Sequence, residues 1–331
     1  MAALAAGLLA PLGTAWDVAG RMRRAVARPY RAPVPVICVG NLVAGGAGKT
    51  PVVLALASSL DRAGIAVHIV SRGYGAHLAG PVRVDPAMHD VAAVGDEALL
   101  LAARAPSWVA RDRAAGAREA AAAGAEIILL DDGFQNPGVE KDLSLVVVDA
   151  EYGFGNRRVI PAGPLREPVA AGLARADAIV LIGDGDGPAD LRDRGPPILR
   201  ARLVPVDGER FAGVPVVAFA GIGHPRKFFT TLRRVGATLT LTHPFPDHHP
   251  FADSEITRLR HEAERAGASL VTTAKDWVRL APRLRGGIAV LDVEICWQDE
   301  AAVAGLLTGI LDRASRDQRH GHGGDRSAAQ G

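Results

Sequence analysis

One stretch limits the fold more than any other: Val36-Ile37-Cys38-Val39-Gly40-Asn41-Leu42-Val43-Ala44-Gly45-Gly46-Ala47-Gly48-Lys49-Thr50-Pro51. Its first residues form a short apolar run rich in β-branched side chains, which predicts a buried strand. A glycine-rich turn follows, and after Lys49-Thr50 a helix-periodic run extends from Val52 to Leu60. Strand, glycine loop and helix in that order make a phosphate-binding loop, in which backbone N–H groups and the positive helix end cradle a nucleotide's phosphates. The candidate cradle is Val43, Ala44, Gly45, Gly46, Ala47, Gly48, Lys49 and Thr50. Lys49 would reach the β and γ phosphates, and the Thr50 hydroxyl would hold Mg²⁺. Val43 stands where the strict pattern has glycine, so the loop is a variant. Lys49 is also the only lysine among the first 140 residues of a chain that otherwise uses arginine. A compact ammonium fits this position, where a planar guanidinium does not.

With 331 residues, 48% of them apolar, the chain can build two domains with cores of their own. A net charge of +2 gives no bulk electrostatic case for a nucleic-acid partner. Cys38 and Cys296 have no neighbours at metal-ligand spacing and read as two buried free thiols, in keeping with a reducing compartment. Residues 1–33 are unusual. Met1 to Trp16 is apolar and rich in small residues, and Arg21, Arg23, Arg24, Arg28 and Arg31 crowd after it. Charge after the apolar part reverses the order of a secretory signal. Pro11 and Gly13 interrupt the run, which is too short to cross a bilayer. Two readings fit: an amphipathic segment on a membrane surface with its arginines at anionic headgroups, or an ordinary helix packed on the domain.

Further along, Ile65 to Val70 predicts a second strand, ending in the exposed loop Ser71-Arg72-Gly73-Tyr74-Gly75 where doubly wound sheets bind ligands. Val94-Gly95-Asp96-Glu97 opens a helix, and its acidic pair could simply favour the helix dipole. The apolar strand ending at Asp131-Asp132 is what a metal-holding carboxylate opposite Thr50 needs, although Asp-Asp-Gly also suits a turn. Gly153 to Pro168 is a long loop with three prolines, and its Arg157, Arg158 and Arg166 suit an anionic ligand. From about residue 205 strands and helices alternate again, predicting a smaller α/β domain. Within it Gly221-Ile222-Gly223 reads as a tight turn. His243 to Phe251 carries three histidines and an acid, a candidate metal or catalytic loop. After Arg313 the composition reads as disordered.

Together the strings VGNLVAGGAGKTP, SRGYG, VGDE, DDGFQN, GNRRVIPAGPLREP and FPDHHPF, in order from residue 39 to 251, resemble the tetraacyldisaccharide 4'-kinases of Gram-negative lipid A synthesis. TTAKDWVRL resembles a further segment of that family, whose phosphate loop also lacks the first glycine. Asn136 stands where many relatives carry histidine. The resemblance implies a P-loop NTPase-like α/β core with a mostly parallel sheet at residues 34–205. It also implies a smaller α/β domain at 206–313 joined by a two-stranded linker, with a disordered tail at 314–331. It implies transfer of the γ-phosphoryl of ATP to the 4'-hydroxyl of a lipid A disaccharide precursor, at the cytoplasmic face of the inner membrane. It inclines residues 1–33 toward membrane association.

For the residues, the resemblance makes Asp96 the catalytic acid-base group and His248 its partner. The string alignment favours His248 over His249. Asp131 or Asp132, with Glu97 and Thr50, would complete the Mg²⁺ shell. Asn41, Arg72, Arg166 and Glu167 are the expected substrate or nucleotide contacts. Two rivals remain. A P-loop GTPase or metal-insertion ATPase needs a guanine-reading string, and in Thr273-Ala274-Lys275-Asp276 the acid comes one position early. A nucleotide-switched membrane adaptor would leave Asp96-Glu97 and the histidine loop without a role.

Overall fold

The structure, a computed structural model, describes residues 2–191 and 195–323. Helix α1 (Ala2–Val26) leads into β1 (Val36–Gly40), α2 (Lys49–Arg62), β2 (Val67–Ser71), β3 (Val82–Arg83), α3 (Val91–Val94) and α4 (Asp96–Ala102). Then come β4 (Ser107–Val109), α5 (Arg113–Ala122), β5 (Ile127–Asp131), β6 (Leu143–Asp149), α6 (Val169–Leu173), β7 (Ala178–Ile182) and β8 (Ile198–Pro205). A second unit holds β9 (Pro215–Ala220), α7 (Pro225–Arg234), β10 (Thr238–Pro244), α8 (Asp253–Arg265), β11 (Ser269–Thr273), α9 (Ala274–Arg279) and β12 (Ile288–Leu291). The chain ends with β13 (Val293–Trp297) and α10 (Glu300–Gly323).

Among the described residues nine strands form the first sheet, in the order β13-β8-β7-β6-β1-β5-β2-β4-β3. It is parallel except at its margins, where β3 and β13 run antiparallel. Strands β1, β5 and β7 are buried at every residue. Parallel sheets are covered on both faces, which is why these strands are continuous apolar runs rather than alternating ones. On one face Ile37, Val39 and Leu129 pack with Val53 and Leu56 of α2 and with Val303 and Leu307 of α10. On the other, Cys38, Ile128, Leu130 and Val146 pack with Phe134 and with Ala117 and Ala120 of α5. Strand β1 lies between β5 and β6, with Val39 beside both Asp131 and Leu145. The phosphate loop therefore leaves the sheet next to Asp131, in the crevice at the strands' carboxyl ends. The second sheet is parallel throughout, in the order β10-β9-β11-β12.

The small unit does not extend to residue 313 as expected. It closes at β12; β13 pairs with β8, from Val293 opposite Pro205 to Trp297 opposite Ala201, and α10 covers the first sheet. Such pairing across the chain leaves no trace in local periodicity. The antiparallel β8–β13 pair links the two units at the margin of the first sheet. Nor is the tail irregular from residue 314: α10 continues to Gly323, and the rest of the expected tail lies outside the described residues. At the other end, Pro11 and Gly13 do not interrupt α1. Gly13 instead lets the helix rest on the 153–168 loop, for a Cβ there would lie 2.9 Å from the Val159 carbonyl oxygen. Cys38 is buried, but Cys296 is exposed, because the linker strand β13 is covered on one side only.

Candidate active site

The phosphate loop is shaped by its backbone. Gly48, the residue before α2, adopts φ 82°, and a Cβ there would lie 2.8 Å from Ile182. Only glycine avoids both the left-handed strain and that clash. Val43 forms an antiparallel bridge to Leu165, Ala44 N–H donates to the Pro164 carbonyl (2.7 Å), and Arg166 N–H donates to that of Leu42 (2.8 Å). Where the strict loop needs glycine, this chain runs extended with a buried side chain, and valine suits that role.

Two expected contacts point inward instead. The Asn41 side chain is fully buried; its Nδ2 donates to the Val43 carbonyl (2.6 Å), and its Oδ1 accepts from Lys49 Nζ (3.3 Å). It shapes the loop from behind. Glu167 is buried too. Gln135 Nε2 donates to its Oε1 (3.1 Å), while Arg175 and, at 3.6 Å, Arg24 of α1 meet its Oε2. Both residues have their polar atoms taken by protein groups, a property that motif spacing does not encode. Arg72 is exposed on the cleft rim, and Arg166 lies in the cleft wall. Asn136 Oδ1 accepts from Gly138 N–H (2.7 Å), so it serves the turn after β5.

The paired aspartates have opposite surroundings. Arg166 donates to both oxygens of Asp132 (2.6 and 2.9 Å), and Lys49 lies 3.7 Å away. Burial disfavours ionisation of Asp132, but Lys49 and Arg166 outweigh it and hold the carboxyl below its usual range. Asp131 is buried at the end of β5, and its Oδ1 has no hydrogen-bond partner among the described residues. Burial first, and then the Glu97 charge, push its carboxyl up to about 7. An orphaned buried carboxylate oxygen asks for a cation. Thr50, Asp131, Asp132 and Glu97 line one cleft and offer only hard oxygens, the donor type Mg²⁺ prefers. Among the described residues no three acidic, histidine or cysteine side chains group closely enough to hold an ion by themselves, so what the protein offers Mg²⁺ is chiefly the open oxygen of Asp131.

Opposite them stands a cluster built by both units. Asp96 opens α4 and is buried; its Oδ1 accepts from Glu97 N–H (2.8 Å). Its Oδ2 meets His248 Nδ1 (2.9 Å) and accepts from Arg279 Nε (2.6 Å). Burial raises the Asp96 pKa, yet the His248 hydrogen bond together with Lys275 and Arg279 holds it far below the carboxylate range. His248 adopts φ 59° in the loop after β10, and the Tyr74 ring lies 5.3 Å from its own. His249 turns away, Nε2 on Glu255 (3.0 Å) and ring stacked on Phe245. The partner of Asp96 is thus His248.

The sequence reading did not single out Arg279 or Lys275. Arg279, also buried, donates through Nη1 to the Gly221 carbonyl (2.5 Å) and to Asp276 Oδ1 (2.8 Å). Lys275 Nζ donates to Glu97 Oε1 (3.1 Å). Nor is Gly221-Ile222-Gly223 merely a turn: a Cβ on Gly223 would sit 3.5 Å from Gly46 N, so this loop faces the phosphate loop across the cleft. Lys227, on α7, bonds Asp149 (2.7 Å) and Glu151 (3.0 Å) of the first unit. The cleft between the units encloses about 2740 Å³.

A family model described as tetraacyldisaccharide-1-P 4'-kinase matches residues 5–312. The chain belongs to that family. A tetraacyldisaccharide 4'-kinase of Rhodospirillum centenum is 58% identical over 312 residues, 93% of this chain and 92% of the relative. Another, from Dinoroseobacter shibae, is 56% identical over 317 residues, covering 93% and 94%. The crystal structure of LpxK from Aquifex aeolicus in complex with ATP superposes with a TM-score of 0.73 at 26% identity, covering 92% of this chain and 99% of that one. Lys275 and Arg279 both lie in TTAKDWVRL, so the resemblance contained the signal for them. Their partners, in α4, are far away in sequence.

Proposed function

We propose that this chain transfers the γ-phosphoryl of ATP to the 4'-hydroxyl of a tetraacyldisaccharide 1-phosphate, the lipid A precursor. One juxtaposition carries the reading: Lys49, Thr50 and the orphaned Asp131 line a cleft with His248, whose Nδ1 meets the buried Asp96 behind it (2.9 Å). Family membership and the ATP complex of the Aquifex relative support it. The P-loop amides and Lys49 bind and orient the phosphates. Thr50 and Asp131 would hold Mg²⁺, with Glu97 and Asp132 beside them; when bound it neutralises phosphate charge. Asp96 accepts the proton of the attacking hydroxyl, and His248 orients its carboxylate. Arg279 bonds the same Oδ2 and holds the carboxylate in place. Arg72 and Arg166 meet anionic groups at the rim.

The same reading places the protein peripherally at the cytoplasmic face of the inner membrane. No helix among the described residues is long and apolar enough to cross a membrane. Helix α1 nevertheless exposes Leu8, Leu12, Trp16, Met22 and Val26. Trp16, though half exposed, also reaches the site loop, where its Nε1 donates to the Arg166 carbonyl (3.2 Å). Exposed apolar side chains next to arginines suit an interfacial helix. Guanine reading finds no support, because Asp276 is fully buried on Gly221 N–H (3.1 Å) and Thr273. The test is transfer from γ-labelled ATP to a tetraacyldisaccharide 1-phosphate in detergent with Mg²⁺. Labelled lipid should form with the natural chain and not with Lys49→Ala. ATP hydrolysis without labelled lipid would overturn the kinase.

A further inference from the structure

The chain has 38 basic residues other than histidine, and only Lys49, Lys141, Lys227 and Lys275 are lysines. A chain that uses arginine almost everywhere keeps lysine where a compact, mobile point charge serves better than a planar fork. Three of the four have evident roles. Lys49 belongs to the phosphate loop. Lys141 is internal, donating to the Phe134 (3.0 Å) and Asn136 (2.7 Å) carbonyls, and holds the turn after Asp131-Asp132. Lys227, about half exposed, joins the units at the cleft mouth through two carboxylates. Lys275 remains.

Lys275 sits in the first turn of α9, at the carboxyl end of β11, and its side chain lines the cleft. Its close carboxylate is Glu97 (3.1 Å), with Asp247 at 3.9 Å. Glu97 is one of the candidate Mg²⁺ ligands, and a carboxylate shared with a divalent cation would hold an ammonium less tightly. Arg279 cannot serve in the same way, because it is buried and its donors are committed to Asp96, Gly221 and Asp276. Lys275 is thus a cation of the second unit beside the reacting pair, tethered by a group that has another use once nucleotide and metal are present.

We propose that Lys275 is a catalytic residue of phosphoryl transfer, its ammonium meeting the charge on the moving phosphoryl group from the second unit's side of the cleft. The inference rests on the kinase reading. In that reaction the bond from the 4'-oxygen to the γ-phosphorus forms and the bond from that phosphorus to the β–γ bridging oxygen breaks. The hydroxyl proton goes to the Asp96–His248 pair, and ADP leaves with the bridging electrons. Lys275 makes no bond; it stabilises charge that peaks between ground state and product. Because it arrives from the second unit, full stabilisation requires a closed cleft, which protects ATP from water until then.

The test uses the full chain with Mg²⁺ and compares the natural protein with Lys275→Ala and Lys275→Arg. MgATP affinity without lipid, kcat with lipid, and affinity for MgADP with aluminium fluoride, a mimic of the moving phosphoryl group, are measured. Lys275→Ala should bind MgATP within about threefold of the natural chain. It should lose roughly a hundred- to a thousandfold in kcat and a similar part of its preference for the mimic over MgADP alone. Lys275→Arg should recover little of either. Unchanged kcat, or equal losses of MgATP affinity and kcat, would overturn the proposal. If alanine lowers the melting temperature, Lys275→Gln keeps the side-chain length and answers the same question. Failure of the natural chain to label lipid would sink the kinase itself, whereas a working enzyme indifferent to Lys275 would sink this inference alone.

Discussion

The two walls of the cleft hold their charged groups by different means. On the first wall the backbone does the holding: Gly48 in the left-handed region, Val43 bridged to Leu165, and Asn41 clamped beneath Lys49. All of this lies within one unit and survives if the cleft opens. On the second wall, partners across the cleft do the holding: Arg279 and His248 on Asp96, Lys275 on Glu97, and Lys227 on Asp149. Those contacts exist only when the units meet. Nucleotide binding can therefore be prepared in advance on the first wall, while the reactive set is completed by closure.

The sharpest way to break this comparison lies on the first wall, in the unlike neighbours Asp131 and Asp132. Asp131→Asn should cost roughly a thousandfold in kcat with Mg²⁺, against about tenfold for Asp132→Asn, whose carboxylate is already balanced by Arg166 and Lys49. The reverse order in steady-state assays would assign the open oxygen to the wrong residue. A second readout needs no turnover. The folded carboxyl of Asp131 is raised from the ordinary 3.8 to about 7. Between those values the unfolded chain has lost a proton that the native one keeps, so stability without Mg²⁺ should fall as pH rises through that window. Denaturant titrations at pH 4.5 and 7.5 (about either end of it) should show the decline in the natural chain and not in Asp131→Asn.

On the second wall the largest effect belongs to Arg279. It and Asp96 are both buried, and removing one partner of such a pair costs roughly 3–5 kcal/mol. Arg279→Met should lose about that much stability and much of kcat. Its MgATP affinity should stay near that of the natural chain, because the first wall does not depend on it. Coupling is the decisive quantity: combined with Asp96→Asn, the loss should fall well short of the sum of the single losses. Additive losses would mean that the two side chains merely lie close.

How much of this was legible in the sequence follows the same division. The first wall is a strand, a loop and a helix in succession, so local pattern revealed Lys49, Thr50 and the strand ending at Asp131. Even there motif position did not tell which way a side chain turns: Asn41 faces Val43 and Lys49, and Glu167 faces Gln135, Arg175 and Arg24. On the second wall, only the resemblance joined Asp96 to His248, 152 positions apart. Arg279 and Lys275 were visible within TTAKDWVRL, yet nothing local tied them to α4. Gly221-Ile222-Gly223 read as a turn because its neighbour, Gly46, belongs to the other unit. The return of β13 to the first sheet was hidden likewise: a short strand of mixed burial carries no label for its partner.

The smallest effect separates the walls without touching chemistry. Cys38 lies in β1 directly behind the phosphate loop, where burial pushes its thiol up to about 12, while Cys296 is exposed on the linker strand β13. The thiolate is the reactive form, so an aromatic disulfide reagent at mildly alkaline pH should modify Cys296 in the native protein and leave Cys38 intact. Both should react after unfolding in denaturant. Above the ordinary thiol value of 9.0 the unfolded chain loses the Cys38 proton that the native one retains, so alkali should erode stability by this route. Cys38→Ser should change that erosion, and Cys296→Ser should leave it as it was. Two thiols reacting together in the native protein would mean that the first wall opens as readily as the linker, and the contrast between a prepared wall and an assembled one would fail.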